Sequence, residues 1–415
     1  MRLNYKKLGS FIKRVDKRNK DLVVDNLKGL SMTKEFREST SNIIGTDMSK
    51  YKIVDQWQFT CDFMSVIRVH AFPVVLNFEP EPVLVSPAYP VFEITNTEEL
   101  DPEYLMIWFR RSEFDRYADF KCDSAIRGGF GWDELCEAEL PVPSIEKQRE
   151  IVREYNVVHE RIMLNKLLIK KLEEATQAIY EQWFLNFEFP ISKSYAQSVG
   201  KPMLEGLPYR SSGGKMEYCD DTEQNVPVGW KARSFTELFD LKGGGTPSTS
   251  VEEYWGGQIP FFTPKDVTSS FFTISTLKTI TDIGYKQSST KKYPMGTTFI
   301  TARGTVGAVS LASSEMAMNQ SCYAVMPKEI TNYIFIHQHA TKAINTLKNE
   351  AIGGVFDALV TADFDGCKIL SPSIQVTNAF GEKVEGLYKL ILSKQKENVK
   401  LKSLISLIKS KLTKI

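Results

Sequence analysis

LPVPSIEKQREI, residues 140–151, ends a segment of short apolar runs and opens a long helical pattern. LSPSIQVTNAF, residues 370–380, does the same a second time. Pro143 and Pro372 stand 229 positions apart. A chain that enters the same kind of helix twice, at one offset, is a duplicated unit. Other matches agree. YLMIWF at 104–109 lies over YIFIHQ at 333–338 at the same offset, Leu8 and Phe235 open similar segments at 227, and AYPVF at 88–92 resembles CYAVM at 322–326 at 234. A Gly-Gly pair followed by an acidic-apolar step recurs in GGFGWDEL (128–135) and GGVFDALVTADF (353–364). The common order of these matches makes the case, and the drift in offset marks small insertions.

Each unit is expected to run from a mixed domain of about 140 residues into a helix of about 40. Short β-like runs such as PVVLNF, PVLVS, TTFITA and AVSLA, separated by Gly and Pro, give α+β domains around an irregular sheet. One helix is expected in each, in DPEYLMIWFRRSEF and NYIFIHQHATKAINTL. The division is 1–143, a helix at 144–187, a linker at 188–229, a second domain at 230–371 and a second helix at 372–415. The linker is rich in Pro, Gly, Ser and charge and is expected to be at most partly ordered.

The two helices carry matched apolar stripes. The first has Ile151, Tyr155, Val158, Ile162, Asn165, Ile169, Leu172, Thr176, Ile179 and Trp183, eight of ten apolar, at alternating steps of four and three. Adding 229 gives Phe380, Val384, Leu387, Ile391, Lys394, Asn398, Leu401, Ile405, Ile408 and Leu412, again eight of ten. A 3.5-residue rhythm holds one stripe towards a partner over many turns. At about 1.5 Å per residue, 40 residues reach ~60 Å. Such a helix is poorly stable alone, so the two stripes are expected to bury each other. The plainer expectation is that each packs on its own domain. Asn165, Thr176, Lys394 and Asn398 interrupt the stripe, as register-fixing polar positions or as solvated ones. Spacing leaves the helix direction open, because 42 extended linker residues span well over ~60 Å.

Signatures of chemistry are missing from the sequence. The apolar fraction is 42% and the net charge is +1, against the strongly basic balance common in nucleic-acid binders. No run of ~18 uncharged apolar residues suggests a membrane span, and the six scattered cysteines form no C-x-x-C pair, which fits a reducing cytoplasm. His337 and His339 lack the spacing of a zinc site. There is no G-x-x-x-x-G-K-[ST], G-x-S-x-G or H-E-x-x-H pattern, and no Asp/Asn/Ser-Pro-Pro-aromatic run of an amino-methyltransferase. The reading is a non-catalytic binder with two heads. Basic and hydroxyl-rich stretches suit phosphate and base-edge contacts: KKLGSFIKRVDKRNKD in the first head, and TPSTS, FFTPKDV, KQSSTKK, TARGTVG and NQS in the second. Solvated loops are the plain reading of any one residue there. A scaffold joining two proteins is the rival function, and a fused methyltransferase–nuclease a further one.

The order of variable domain, Pro-Ser-Ile step and heptad helix, repeated, resembles the specificity (S) subunit of type I restriction–modification systems. LPVPSIEKQREI, QAIYEQWFLNFEFP (177–190), VPVGW (226–230), LKGGGTPS (241–248), VSPAYPVF (85–92) and FDALVTADF (356–364) carry the likeness across the chain. The second lead-in departs by lacking the Gln148-Arg149 pair. The resemblance implies two target-recognition domains, each reading half of a bipartite double-stranded DNA site. It implies an antiparallel two-helix coiled coil that sets the gap. Two modification (M) subunits binding S-adenosylmethionine would dock on it, and two restriction (R) subunits would add ATP- and Mg-dependent cleavage. No cofactor or metal is expected in this chain. DNA contacts are expected from Lys17, Arg18, Asn19, Lys20, Ser65, Arg68, Tyr89 and Arg127 in the first head. In the second they are expected from Thr246, Ser248, Thr263, Lys265, Arg303, Thr305, Asn319 and Gln320.

Overall fold

The computed structural model describes residues 5–39, 45–123, 129–350 and 358–412. The chain divides into two compact units, residues 1–162 with 400–415, and residues 163–399. Both are mixed α and β.

In the first unit a four-stranded sheet orders Ile12–Val15, Val91–Ile94, Phe59–Cys61 and Val74–Leu76. Phe59, Phe72, Phe92, Phe109, Phe114 and Phe130 interlock in its core, mostly edge to face. In the second unit five strands order Phe239–Gly243, Cys322–Pro327, Thr298–Thr301, Val309–Ala312 and Phe272–Thr273. A further sheet orders Lys278–Ile280, Trp255–Phe262, Met316–Met318 and Lys291–Tyr293.

The duplication is visible bond by bond. Strand Tyr5–Lys7 pairs with Glu139–Pro141, and Lys231–Ser234 pairs with Lys368–Ser371, each immediately before a long helix. The Leu8 N–H donates to Ala138 O at 2.8 Å, and the Phe235 N–H to Cys367 O at 3.1 Å. Helices Trp132–Glu137 and Thr361–Gly366 share a start in which an acid at the third position accepts from the capping N–H: Gly131 to Glu134 at 3.0 Å, Val360 to Asp363 at 2.7 Å. Gly128 and the Gly353–Gly354 pair of that motif lie outside the described residues, as do Phe356 and Asp357.

The long helices are Ile145–Phe184 and Ile374–Lys411. Both Pro-Ser-Ile steps act as helix starts. Ser144 Oγ accepts from Lys147 N and Ser373 Oγ from Val376 N, each at 3.4 Å, and Val376 N also reaches Ser373 O at 3.1 Å, so each serine supplies acceptors to the first helical turn. Within the second unit, Asn165 meets Asn398 and Trp183 meets Phe380. Eighteen positions forward on one helix match eighteen backward on the other, so the pair is antiparallel there. Ile169, Leu172, Ile179 and Trp183 share a core with Phe380, Val384, Leu387 and Ile391. In the first unit Ile151, Tyr155, Val158 and Ile162 share a core with Leu401, Ile405, Ile408 and Leu412.

Positions beside the stripes bind the heads. Gln148, fully buried, accepts from Asp101 N and donates to Glu99 O and Pro143 O, all at 2.9 Å. Glu173 accepts from Ser270 Oγ and from Phe271 N. Tyr388 takes hydrogen bonds with His337 and Gln338 at 2.8 Å. Helix pairing and packing on the domains are therefore not alternatives, since each helix does both.

The single helix expected over DPEYLMIWFRRSEF is two, Pro102–Phe109 and Ser112–Asp123. Two lysines explain the break. Lys34 Nζ donates to Phe109 O and Lys409 Nζ to Arg110 O, occupying carbonyls that a continuing helix would use. The corresponding stretch of the second head, NYIFIHQHATKAINTL, is one helix, Tyr333–Glu350. Residues 188–229 are ordered throughout. They hold helix Lys193–Ser198 and hairpin Met216–Cys219/Gln224–Pro227. Phe189 stacks between Tyr209 and Trp230 at 4.6 and 5.3 Å. Composition concealed this, because a few aromatics anchor an otherwise polar segment to the core of its unit.

Candidate nucleic-acid interface

In the second unit four sequence-distant segments converge at one edge of the strands. The Gly-rich loop after Phe239–Gly243 runs against residues 318–320. Gly245 N donates to Met318 O at 3.0 Å, and a Cβ at Gly244 would lie 2.0 Å from the same carbonyl oxygen. Only glycine permits that approach. Thr246 Oγ1 donates to Gln320 Oε1, and Asn319 N to Phe262 O at 3.0 Å. Ala302 N and Arg303 N both donate to Ser321 O, at 2.8 and 3.2 Å. Thr246, Thr263, Lys265, Arg303, Thr305, Asn319 and Gln320 therefore stand on adjoining loops.

Their states differ. Lys265, Arg303, Thr305 and Gln320 are exposed, and Lys265 and Arg303 have no acidic partner among the described residues. Thr263 is committed to its own turn: its N–H and hydroxyl donate to the buried Asp266 carboxylate at 2.8 and 2.7 Å. Asp266 also accepts from Leu277 N at 2.6 Å, so it fixes the turn that presents Lys265. Asn319 Oδ1 accepts from Ser321 N, and Ser248 exchanges a hydrogen bond with Ser250 at 2.8 Å.

Lys291 joins these residues, though its own sequence context does not single it out. Gln287–Lys291 lies beside the Gly-rich loop, with Ser289 Oγ 2.3 Å from a Cβ on Gly245 and Thr290 Oγ1 donating to Met318 O at 3.0 Å. Lys291 pairs in register with Met318 and is exposed. The stretch KQSSTKK was the available signal, but the strand pairing that brings it to this edge is long-range.

In the first unit the expected residues fall into two groups joined by Lys52. Lys17 binds Asp55 at 2.8 Å, and Arg18 donates to Lys50 O at 3.0 Å and pairs with Asp16. Asn19 belongs to the fold instead of the surface. It is buried, donates to Val24 O at 2.8 Å and accepts from Val24 N at 3.1 Å, so its amide is spent on the loop and a base contact from it is set aside. Lys20 is exposed beside it. Lys52 bridges Arg18 through backbone pairing, and its Nζ donates to Tyr89 O at 3.0 Å. Ser65 Oγ donates to Asp62 at 2.6 Å and accepts from Arg68 Nη2 at 3.0 Å. Burial raises the Tyr89 phenol pKa, with Asp62 adding to the rise and Arg37 and Arg68 opposing it. Lys52 and Arg37 are thus additions to this patch. Arg127 lies outside the described residues.

Among the described residues no group of three or more His, Cys, Asp or Glu forms a metal site, and no helix is long and apolar enough to cross a membrane. His337 and His339 are buried, and burial lowers each to about 3. Both serve the core of their unit through Tyr388 and Tyr180.

Residues 227–407 match the family described as the type I restriction modification DNA specificity domain. The chain is 25% identical over 366 residues to the type I restriction enzyme HindI specificity subunit of Haemophilus influenzae, covering 78% of this chain and 79% of that protein. It is 29% identical over 187 residues to the MjaIX specificity subunit of Methanocaldococcus jannaschii, covering 44% and 43%. Its fold is similar to the crystal structure of the type I restriction-modification system S subunit from M. genitalium, with TM-score 0.57 at 12% identity over 98% of this chain and 95% of that one.

Proposed function

Starting from a chain that belongs to the specificity-subunit family of type I restriction–modification systems, we propose that it directs a methyltransferase to a bipartite double-stranded DNA site. The first head, 1–143, reads one half-site and the second, 230–371, reads the other. Helices 144–187 and 372–415 set the gap, and residues 188–229 belong with the second head. The observation that carries this reading is the antiparallel apposition of the two long helices within the second unit, with Asn165 on Asn398 and Trp183 on Phe380. Duplex DNA has a two-fold axis, so two similar heads can meet two half-sites in similar poses. The heads differ in loop sequence, so the half-sites differ in bases.

The exposed cations Lys20, Arg68, Lys265 and Arg303 supply salt-sensitive phosphate attraction, Tyr89, Thr305 and Gln320 reach base edges, and Ser65 orients Arg68. Ser248 and Asn319 border the second group, with Thr246 and Thr263 shaping its loops. Two modification subunits dock on the helices. Val157, Met163, Leu164 and Leu167 on the first, and Leu390, Leu404 and Leu407 on the second, are exposed apolar side chains suited to partner helices. Those partners bring S-adenosylmethionine and extrude the adenine. Two restriction subunits bring ATP and Mg. A net charge of +1 accords with partners that share the grip on DNA. The test is to map methylated adenines in the source genome with and without the gene for this chain. A two-part motif of fixed gap should vanish on deletion. An unchanged map refutes the proposal.

A further inference from the structure

The tip of the first head, Asp62–Val69, is built to hold two apolar side chains in the open. Asp62 Oδ1 accepts from Met64 N at 2.9 Å and Ser65 N at 3.2 Å, and Oδ2 from Ser65 Oγ at 2.6 Å. The short helix Val66–Val69 follows, anchored by the fully buried Val66. Three bonds to one carboxylate fix the backbone of Met64. Yet its side chain is 78% exposed, and that of Ile67 is 55% exposed. Single exposed apolar residues are ordinary. Here two stand within four positions on a locked turn, among groups of a different kind.

Those groups define the occupant. Arg68 reaches Ser65 Oγ at 3.0 Å. Cys61 N donates to Pro90 O at 3.1 Å, which sets this turn beside Tyr89, and Lys52 Nζ lies 3.0 Å from Tyr89 O. Arg37 and Arg68 both act on the Tyr89 phenol. Arg37, Arg68 and Lys52 stand against the one Asp62 carboxylate around Tyr89, so the surroundings favour an anionic partner. The Tyr89 phenol and the guanidinium donors flanking an apolar projection match a base-pair edge in the major groove. There, thymine alone presents a methyl group beside hydrogen-bonding atoms.

We infer that Met64, with Ile67 beside it, makes the apolar contact to a thymine C5-methyl group in the half-site read by the first head. This rests on that head being a DNA reader. Asp62 is then a positioning residue, which holds Met64 without touching DNA.

The test uses the full chain assembled with its modification partner and a duplex carrying the mapped site. Each thymine of the site is replaced singly by deoxyuridine, which removes only the methyl group, and Kd is measured at fixed salt. One position should weaken binding about 4-fold, the value of one buried methyl. Met64→Ala should weaken binding to the thymine duplex by a similar factor and no longer distinguish thymine from uracil at that position. Met64→Leu should restore the discrimination. The inference is overturned if no thymine shows a methyl dependence, if the site has no thymine at the responsive half, or if Met64→Ala keeps the full uracil penalty. Absence of any sequence-specific binding by the unmodified complex would instead refute the DNA-reading proposal itself, and this inference with it.

Discussion

Asn165 and Asn398 offer a sharp test of what holds the long helices in register. They are 2% and 8% exposed, and Asn165 Nδ2 donates to Asn398 Oδ1 at 3.0 Å. Replacing Asn165 with Ala removes the donor and strands a buried amide opposite. A buried polar group without its partner costs about 1–3 kcal/mol, against about 1 for the net value of a satisfied bond. Asn398→Ala should cost a similar amount. The double variant strands nothing, so it should lose less than the two singles added, with a coupling of about 1–2 kcal/mol. Urea unfolding of the four proteins, read by circular dichroism and by tryptophan fluorescence, supplies the cycle. A pair of leucines should be as stable as the native pair or more so, while relaxing the register that a buried Asn pair enforces. Strict additivity of the two alanine variants would refute the reasoning, because it would mean that the amides do not depend on one another.

Two further outcomes follow from buried polar groups. Gln148→Leu should cost about 2–4 kcal/mol, because it leaves Asp101 N, Glu99 O and Pro143 O without their partner. The hydroxyl of its counterpart Thr377 bonds, among the described residues, Ile374 O of its own helix, so Thr377→Val should cost under about 1 kcal/mol, and thermal melting of both variants checks the contrast. Burial holds His337 and His339 at about 3 in the fold, against 6.5 for the free side chain. The unfolded chain therefore takes up protons first. Their contribution is complete above pH 6.5 and is lost as pH falls from 6.5 towards 3, at about 1.4 kcal/mol per pH unit for each ring. Melting at pH 7 and pH 5 should show this loss, and replacing both histidines with Gln should flatten it. An equal pH dependence in that variant would exclude these rings as its source.

The duplication and the coiled-coil seam were legible before any coordinates, because both are periodic. A serine after a proline starts a helix by local chemistry alone, and an apolar residue every 3.5 positions needs a partner wherever the chain goes. The α+β character of the heads followed from short apolar runs cut by Gly and Pro. What stayed hidden was long-range. Nothing near Asn19 in the sequence shows that Val24 consumes its amide, and nothing near Arg110 shows that Lys34 and Lys409 end a helix there. The polar stretch 188–229 became ordered because Phe189 found Tyr209 and Trp230. Lys291 joined the candidate interface through its register with Met318.

The sequence by itself determined the elements that depend on neighbours a few residues apart: the two helix starts, the stripes, the repeat. Tertiary structure alone decided helix direction, the partner of each stripe residue, and which polar side chains are spent inside the fold and which are left for a ligand. Those choices depend on atoms brought together from distant parts of the chain, where burial makes an unmet hydrogen bond expensive and so selects one arrangement.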